Sequence, residues 1–294
     1  MTSIHPTAIV SAKARLADGV QIGAYSIVHE GVELGKNVFV GNYCELGLPT
    51  GLAKNPTLVI GRDSQIRSHA VIYQGSELGP TLQTGHFVSI RENTRTGDGV
   101  VLGTRCQIEG DCVIGHYSRL HSDVHVAKSV QIGQFAFLYP RVQFTNDPLP
   151  PTHIEEPVVI EDLAVVCTGT LLLPGITVGT GAFIGAGSVV RQDVPAVMFA
   201  TGNPAKVQYP ADRLFNVEHG LRFAWLDHFR DRYPAEAQNM LDSLTERCRT
   251  LVEIQKAARP NERECGDINT IKKGTLDQVH ATFSKVPCQR SMVK

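Results

Sequence analysis

Three histidines fall close together in this chain: His116, His121 and His125. A neutral imidazole near pH 7 can take a proton from an attacking ammonium or hydroxyl, the work of a general base. Imidazole is also a zinc ligand, so the same three residues invite a metal reading. Lys128 follows, and Asn146-Asp147 opens a proline-rich stretch. An ammonium, an amide and a carboxylate can hold a polar substrate. Asn-Asp-Pro is equally a good turn starter, so the competing reading of that pair is plain turn chemistry.

The scaffold that must position them has a period of six. Every sixth residue from Ile60 to Phe144 is large and apolar, except Thr84 and Thr96. The residue two before each is small, β-branched or apolar, as in Leu58, Ala70, Val88, Cys106, Cys112 and Val124. Positions two apart point to the same side of an extended strand. Gly often follows the sixth position, as in Ile60-Gly61, Leu102-Gly103, Ile114-Gly115 and Ile132-Gly133. The unit is a short strand and a turn, and an amphipathic helix with its period of 3.6 cannot produce it. A fixed short period marks a solenoid.

The repeat resembles that of the hexapeptide-repeat acyltransferases: aliphatic, Gly, two variable residues, small, variable. The resemblance covers about Ile4 to Val207. It implies an all-β solenoid, a left-handed parallel β-helix with three hexapeptides per coil, and an assembly of three chains with active sites between subunits. The domain at 1–207 should carry loops near 47–57 and 145–157. There the register slips by two between Leu46 and Ile60, and breaks across Thr145–His153, where prolines cannot donate to a strand ladder. The stretch 208–260 reads as a small α-helical region. A first helix is expected from Asp212 to about Arg230, with Leu214, Phe215, Val217, Leu221, Trp225 and Phe229 on its apolar face. A second is expected to end near Ala258, with Met240, Leu241, Leu244, Cys248, Leu251 and Val252 inward. The polar tail at 261–294 suits disorder.

With three hexapeptides per coil, residues eighteen apart stack. Glu92, Gly110, Lys128 and Asn146 form one corner column, and Ser89, Gln107, His125 and Gln143 the outward strand positions leading into it. A second corner carries Asp98, His116 and Gln134. The segment Gln107–Gly115 resembles the stretch that holds the general-base His of UDP-N-acetylglucosamine acyltransferases, with Gly110 in the place of that His. Phe144-Thr145-Asn146 matches a Phe-Thr-Asn segment of the nucleotide amino-sugar N-acetyltransferases. Those enzymes often have Glu one coil before the Asn, where this chain has Lys128. The substitute base is then His125, with His121 beside it, and Asn146, Asp147, Lys128 and His116 are the candidate substrate contacts. The family analogy places the pantetheine of an acyl-CoA near Gly185-Ala186-Gly187, with Arg191 and Lys206 toward its phosphates.

The expected function is acyl-CoA-dependent N-acyl transfer, acetyl-CoA foremost, to a nucleotide-linked amino sugar for surface glycan synthesis, by a cytoplasmic homotrimer. One alternative is an acyl-carrier-protein-dependent acyltransferase of lipid A type. Another is a non-catalytic scaffold. A third is a zinc enzyme, since Ile114-Gly115-His116 with Leu120-His121 resembles the paired ligands of γ-class carbonic anhydrases. Its third ligand would have to be His86, which lies thirty residues before His116 rather than two whole coils. No metal is expected. A formal net charge of −1 gives no basic footprint for nucleic acid. No apolar run reaches the roughly 18 residues of a membrane span. The seven cysteines read as buried thiols.

Overall fold

The computed structural model describes residues 2–216, 220–222, 226 and 230–258. The expected tail at 261–294 lies outside them, as do Val217, Trp225 and Phe229. The chain winds as a left-handed parallel β-helix. Its strands, mostly of two residues, stack into three sheets that form the faces of a triangular prism. Face 1 begins with Ser3–Ile4, face 2 with Ile9–Val10 and face 3 with Arg15–Leu16, holding 12, 10 and 9 strands among the described residues. The eighteen-residue register is direct: Ser89 pairs with Gln107, Gln107 with His125, and His125 with Gln143.

The apolar sixth positions and the small positions two before them fill the interior. The two threonines in the apolar series accept backbone hydrogen bonds from the neighbouring coil. Thr84 Oγ1 takes the Arg67 N–H at 2.9 Å and Thr96 Oγ1 the Gly79 N–H at 2.9 Å. Each hydroxyl thereby avoids the cost of an unpaired buried polar group. Cys106 and Cys112 line the same interior, and burial pushes both thiols up to about 12. They are thiols at neutral pH, as the sequence implies.

Corners turn through a left-handed non-glycine residue in most coils. At the corner between faces 2 and 3 these are Asn93, Asp111 and Ser129, at φ 58°, 51° and 65°. The coil below secures two of them: Asp111 N–H donates to the Glu92 carbonyl at 2.9 Å, and Ser129 N–H to that of Gly110 at 3.0 Å. At the corner between faces 1 and 2 the same positions hold Tyr25, Tyr43, His69 and Phe87. Their rings stack at centroid separations of 5.1, 5.1 and 4.6 Å. This ladder is exposed. Both long loops, between the strands Glu45–Leu48 and Leu58–Ile60 and between Gln143–Phe144 and Val159–Ile160, leave at the face 2–face 3 corner. An insertion at a corner leaves the ladders above and below it intact.

The C-terminal segment departs from expectation in part. The antiparallel strands Met198–Gly202 and Ala205–Pro210 close the solenoid end. Instead of a helix from Asp212, a single 3-10 turn, Ala211–Arg213, leads into the paired strands Phe215–Asn216 and Leu221–Arg222. Leu214 is buried with Phe199 and Tyr209 against face 1, so it serves the end cap rather than a helical stripe. Gly220, at φ 62°, turns the chain between the two strands.

The second expected helix is present as α1, Ala235–Ala258. It buries Leu241, Cys248 and Val252 against Tyr117, Phe135, Leu163 and Val197 at the face 3–face 1 corner. Gly181 allows this approach, because a Cβ there would lie 2.8 Å from Cys248 Sγ. Arg230 ties the helix from outside, donating to both Asp242 oxygens at 2.7 and 2.6 Å. Among the described residues no helix is long and apolar enough to cross a membrane.

Candidate active site

His125 stands on the strand His125–Val126 of face 2, and Val126 beside it is buried in the core, so the imidazole points outward. Its Nε2 lies 3.6 Å from Glu109 Oε1, and the other carboxylate oxygen lies 3.6 Å from Arg91 Nη1. Both separations exceed a hydrogen bond, so these are charge contacts. Each side chain is about one-third exposed: 34% for His125, 35% for Glu109 and 34% for Arg91. Contacts this open contribute roughly 0–1 kcal/mol each to stability. Their arrangement is that of a base with an anion behind it. With Nε2 turned to Glu109, Nδ1 is left to take a proton.

The place in Gly110 where the family resemblance puts a histidine is not empty. Glu92, from the coil below, fills it: a Cβ on Gly110 would lie 3.3 Å from Glu92 Oε1 and 3.0 Å from its carbonyl oxygen. Gly110 also sits at φ 96°. Glu92 is only 1% exposed and is held by Arg91, whose Nη2 donates to it at 3.1 Å. One coil above, Lys128 Nζ donates to Glu155 Oε1 at 2.8 Å, and Ser129 Oγ donates to the other oxygen at 3.4 Å. The bond to Glu155 raises the pKa of Lys128, so it is a cation at pH 7 and not a base.

Asn146 closes the second loop through its carbonyl, which accepts the Glu156 N–H at 2.7 Å. Asp147 is occupied within that loop. Its carboxylate accepts Leu149 N–H at 2.9 Å, Thr152 N–H at 2.7 Å and Thr152 Oγ1 at 2.7 Å, and these bonds hold its pKa below the usual carboxylate range. The fold thus brings His125, Lys128 and Asn146 to one edge of face 2 and leaves Asp147 to turn chemistry.

His116 and His121 lie apart, at opposite ends of the face 1 strand Arg119–Leu120. His116 Nδ1 accepts the Asp98 N–H at 2.9 Å, one rung of a corner ladder that Gln134 and Asp162 repeat at 2.8 Å. His121 stacks on Tyr139 at 4.9 Å, and desolvation followed by the charge of Arg119 lowers its pKa. Among the described residues no three His, Cys, Asp or Glu side chains form a group that could hold a metal ion. Gly185, Ala186 and Gly187 turn the face 1–face 2 corner, with Gly185 N–H on the Ala200 carbonyl at 2.8 Å. Arg191 lies across face 2 from them, just past the strand Val189–Val190, and Lys206 lies in the end hairpin of face 1. These five do not converge on one point. The first four border face 2 above His125, along the outward lane Gln143, Leu171, Val189.

Sequence reasoning missed Glu109, Arg91 and Glu155, and placed Glu92 in its column without its reach over Gly110. The pair Glu109–His125 had a readable signal. Residues sixteen apart are one coil less two, hence on the same side, and His29–Glu45 repeats the relation at 2.9 Å.

Comparison with known proteins follows the same architecture. The family described as bacterial transferase hexapeptide (six repeats) matches residues 2–47. The acyl-[acyl-carrier-protein]–UDP-N-acetylglucosamine O-acyltransferase of Saccharophagus degradans is 32% identical over 226 residues, covering 74% of this chain and 76% of that protein. This chain belongs to the hexapeptide-repeat acyltransferases. Within that family it is also 26% identical, over 208 residues, to the bifunctional protein GlmU of a Thermotoga species. That match takes in 70% of this chain but only 39% of GlmU, so the chain spans about two-fifths of that relative's length. The solved structure of the UDP-N-acetylglucosamine acyltransferase from Campylobacter jejuni aligns over 94% of this chain and 90% of its own, at 18% identity and a TM-score of 0.48. As a hexapeptide-repeat acyltransferase the chain is an enzyme of acyl transfer.

Proposed function

We propose that this acyltransferase moves an acyl group from a thioester carrier to a nucleotide-linked sugar, with His125 as general base. The observation that carries the reading is His125 backed by Glu109 and Arg91, at the edge of face 2 where Lys128 and Asn146 also stand. The acceptor oxygen or nitrogen attacks the thioester carbonyl carbon and passes its proton to His125 Nδ1. The tetrahedral intermediate then expels the carrier sulfur, which takes the proton back from the imidazolium. Glu109 faces the positive charge that forms on the ring.

The donor arm has a lane. From His125 through Gln143 and Leu171 to Val189 there are three coil steps, about 14 Å at strand spacing. Gly185–Gly187 border it on one side and Arg191 on the other. The S. degradans relative is named for O-acylation from acyl carrier protein. That name favours a sugar hydroxyl and a protein-borne donor over the amine and acetyl-CoA implied by Phe144-Thr145-Asn146. Intact-mass screening of UDP-N-acetylglucosamine and nucleotide amino sugars, each with acetyl-CoA and with long-chain acyl carrier protein, tests the reading and separates the two. Absence of any acylated nucleotide sugar counts against both.

Glu109→Gln should lower kcat roughly tenfold, the effect of about 1.4 kcal/mol of lost transition-state contact, with KM little changed. An unchanged kcat in this variant would make Glu109 a structural residue only. The assembly should be a homotrimer, a reading supported by the exposed ladder Tyr25, Tyr43, His69, Phe87, an apolar strip suited to another copy. Sedimentation equilibrium should return about three chain masses; a monomer at assay concentration rejects it.

A further inference from the structure

The first long loop folds back over the face 2–face 3 corner. Lys54 N–H donates to Asn93 Oδ1 at 2.8 Å, and Asn93 Nδ2 donates to the Leu52 carbonyl at 3.0 Å. Asp111 Oδ1 accepts both Lys54 Nζ at 2.6 Å and Asn93 Nδ2 at 3.2 Å. Between this loop and face 3 is a cavity of about 240 Å³, lined by Lys54, Asn55, Asn93, Arg95, Asp111 and Val113. None of the catalytic chemistry above uses it.

The lining has a particular composition. Asp111 is set by its left-handed backbone and by the rung to Glu92, so its carboxylate is presented rigidly. Both of its hydrogen bonds fall on Oδ1, and among the described residues none is made to Oδ2. Two cations share the cavity. Lys54 is 76% exposed, and Arg95 is 71% exposed with Glu77 no nearer than 3.8 Å. Val113, 47% exposed, adds an apolar patch. A bare phosphate would be repelled by Asp111, and a neutral sugar would gain nothing from the charge of Arg95 or from the Lys54 N–H bonds not given to Asp111. A 5′-nucleotide answers both: its ribose diol donates to a carboxylate, and its phosphates meet ammonium and guanidinium. Asp111 is also two residues from Glu109, so a phosphate chain leaving this cavity around the corner leads past Lys128 toward His125.

We infer that the cavity under the first loop is a nucleoside site, taking the ribose diol of a 5′-diphosphonucleoside on Asp111 and its diphosphate on Lys54 and Arg95. This rests on the reading that the acceptor is nucleotide-linked, and it names the residues that hold the end of that acceptor remote from the acyl group.

Calorimetry on the full chain with UDP, GDP, CDP and ADP, and with the 2′,3′-dideoxy form of each, tests it. At least one ribonucleotide should bind, and its dideoxy form about tenfold more weakly, the worth of one charge-assisted hydrogen bond. Asp111→Asn, which suits a left-handed position, should shrink that gap to about threefold or less. Lys54→Met should weaken the diphosphate about tenfold and keep the gap. Failure of all four ribonucleotides to bind, or an unchanged gap in Asp111→Asn, overturns the site. Acylation of a nucleotide sugar by Asp111→Asn at unchanged KM would also remove the site and leave the acyl-transfer reading standing. Nucleotide binding with the expected gap, but no acylation of any sugar in the screen, would do the reverse.

Discussion

His125→Ala should lower kcat by roughly 10²–10⁴-fold, the range that a positioned general base supplies. KM should move much less, because the imidazole acts on a proton in flight rather than on the resting substrate. The pH dependence of the loss separates the two acceptors. An amine that is free at high pH needs no deprotonation before attack, so with an amino sugar the deficit shrinks as the pH rises. A hydroxyl stays protonated over the same range, and the deficit persists. Steady-state rates of wild type and variant from pH 6 to 9 decide between them. Near-normal kcat in the variant, with its assembly intact, would mean that the departing carrier sulfur accepts the proton and that His125 is no base.

Phe144→Ala should be the most damaging single truncation near the site. Phe144 is 2% exposed at the inward position of the last coil before the second loop. Removing a buried aromatic ring costs about 3–5 kcal/mol through lost transfer energy and the cavity left behind. A solenoid is held by nearest-neighbour contacts, so the loss stays local. The coils around His125, Gln143 and Leu171 should exchange amide hydrogen faster, while those before Ile60 keep wild-type protection. Asn146 lies two residues on, so activity should fall with the same coils. Uniform loss of protection along the chain would show a globally cooperative fold instead.

Much of this molecule is legible in the sequence because a solenoid makes distance along the chain equivalent to position in space. One apolar residue in six fixes the interior, and a multiple of eighteen fixes the stacking. The columns Ser89, Gln107, His125, Gln143 and Glu92, Gly110, Lys128 can therefore be written down unaided. The loops show as slips in that arithmetic. What could not be read depends on side-chain length and direction. Glu92 reaching up over Gly110, Lys128 turning to Glu155, and Asp147 folding onto Thr152 are choices among rotamers that no periodicity encodes. His116 reads as chemistry by residue type, yet its Nδ1 is a rung for the Asp98 N–H. Past Val190 the period ends, and only the stripe of the second helix stays legible. Leu214 and Phe215 look like one face of a helix, but a capping hairpin takes them.

Helix α1 lies across the corner residues Tyr117, Phe135, Leu163, Gly181 and Val197, which belong to successive coils. Under tension applied between the chain's ends this makes the solenoid mechanically two-part. Coils before Tyr117 have no helix across them, and force along the axis peels them one at a time. Each releases eighteen residues, about 60 Å of contour, and the coil with the first loop twenty-six. The coils beneath the helix are strapped together and yield as a block, at higher load, once the strap has torn away.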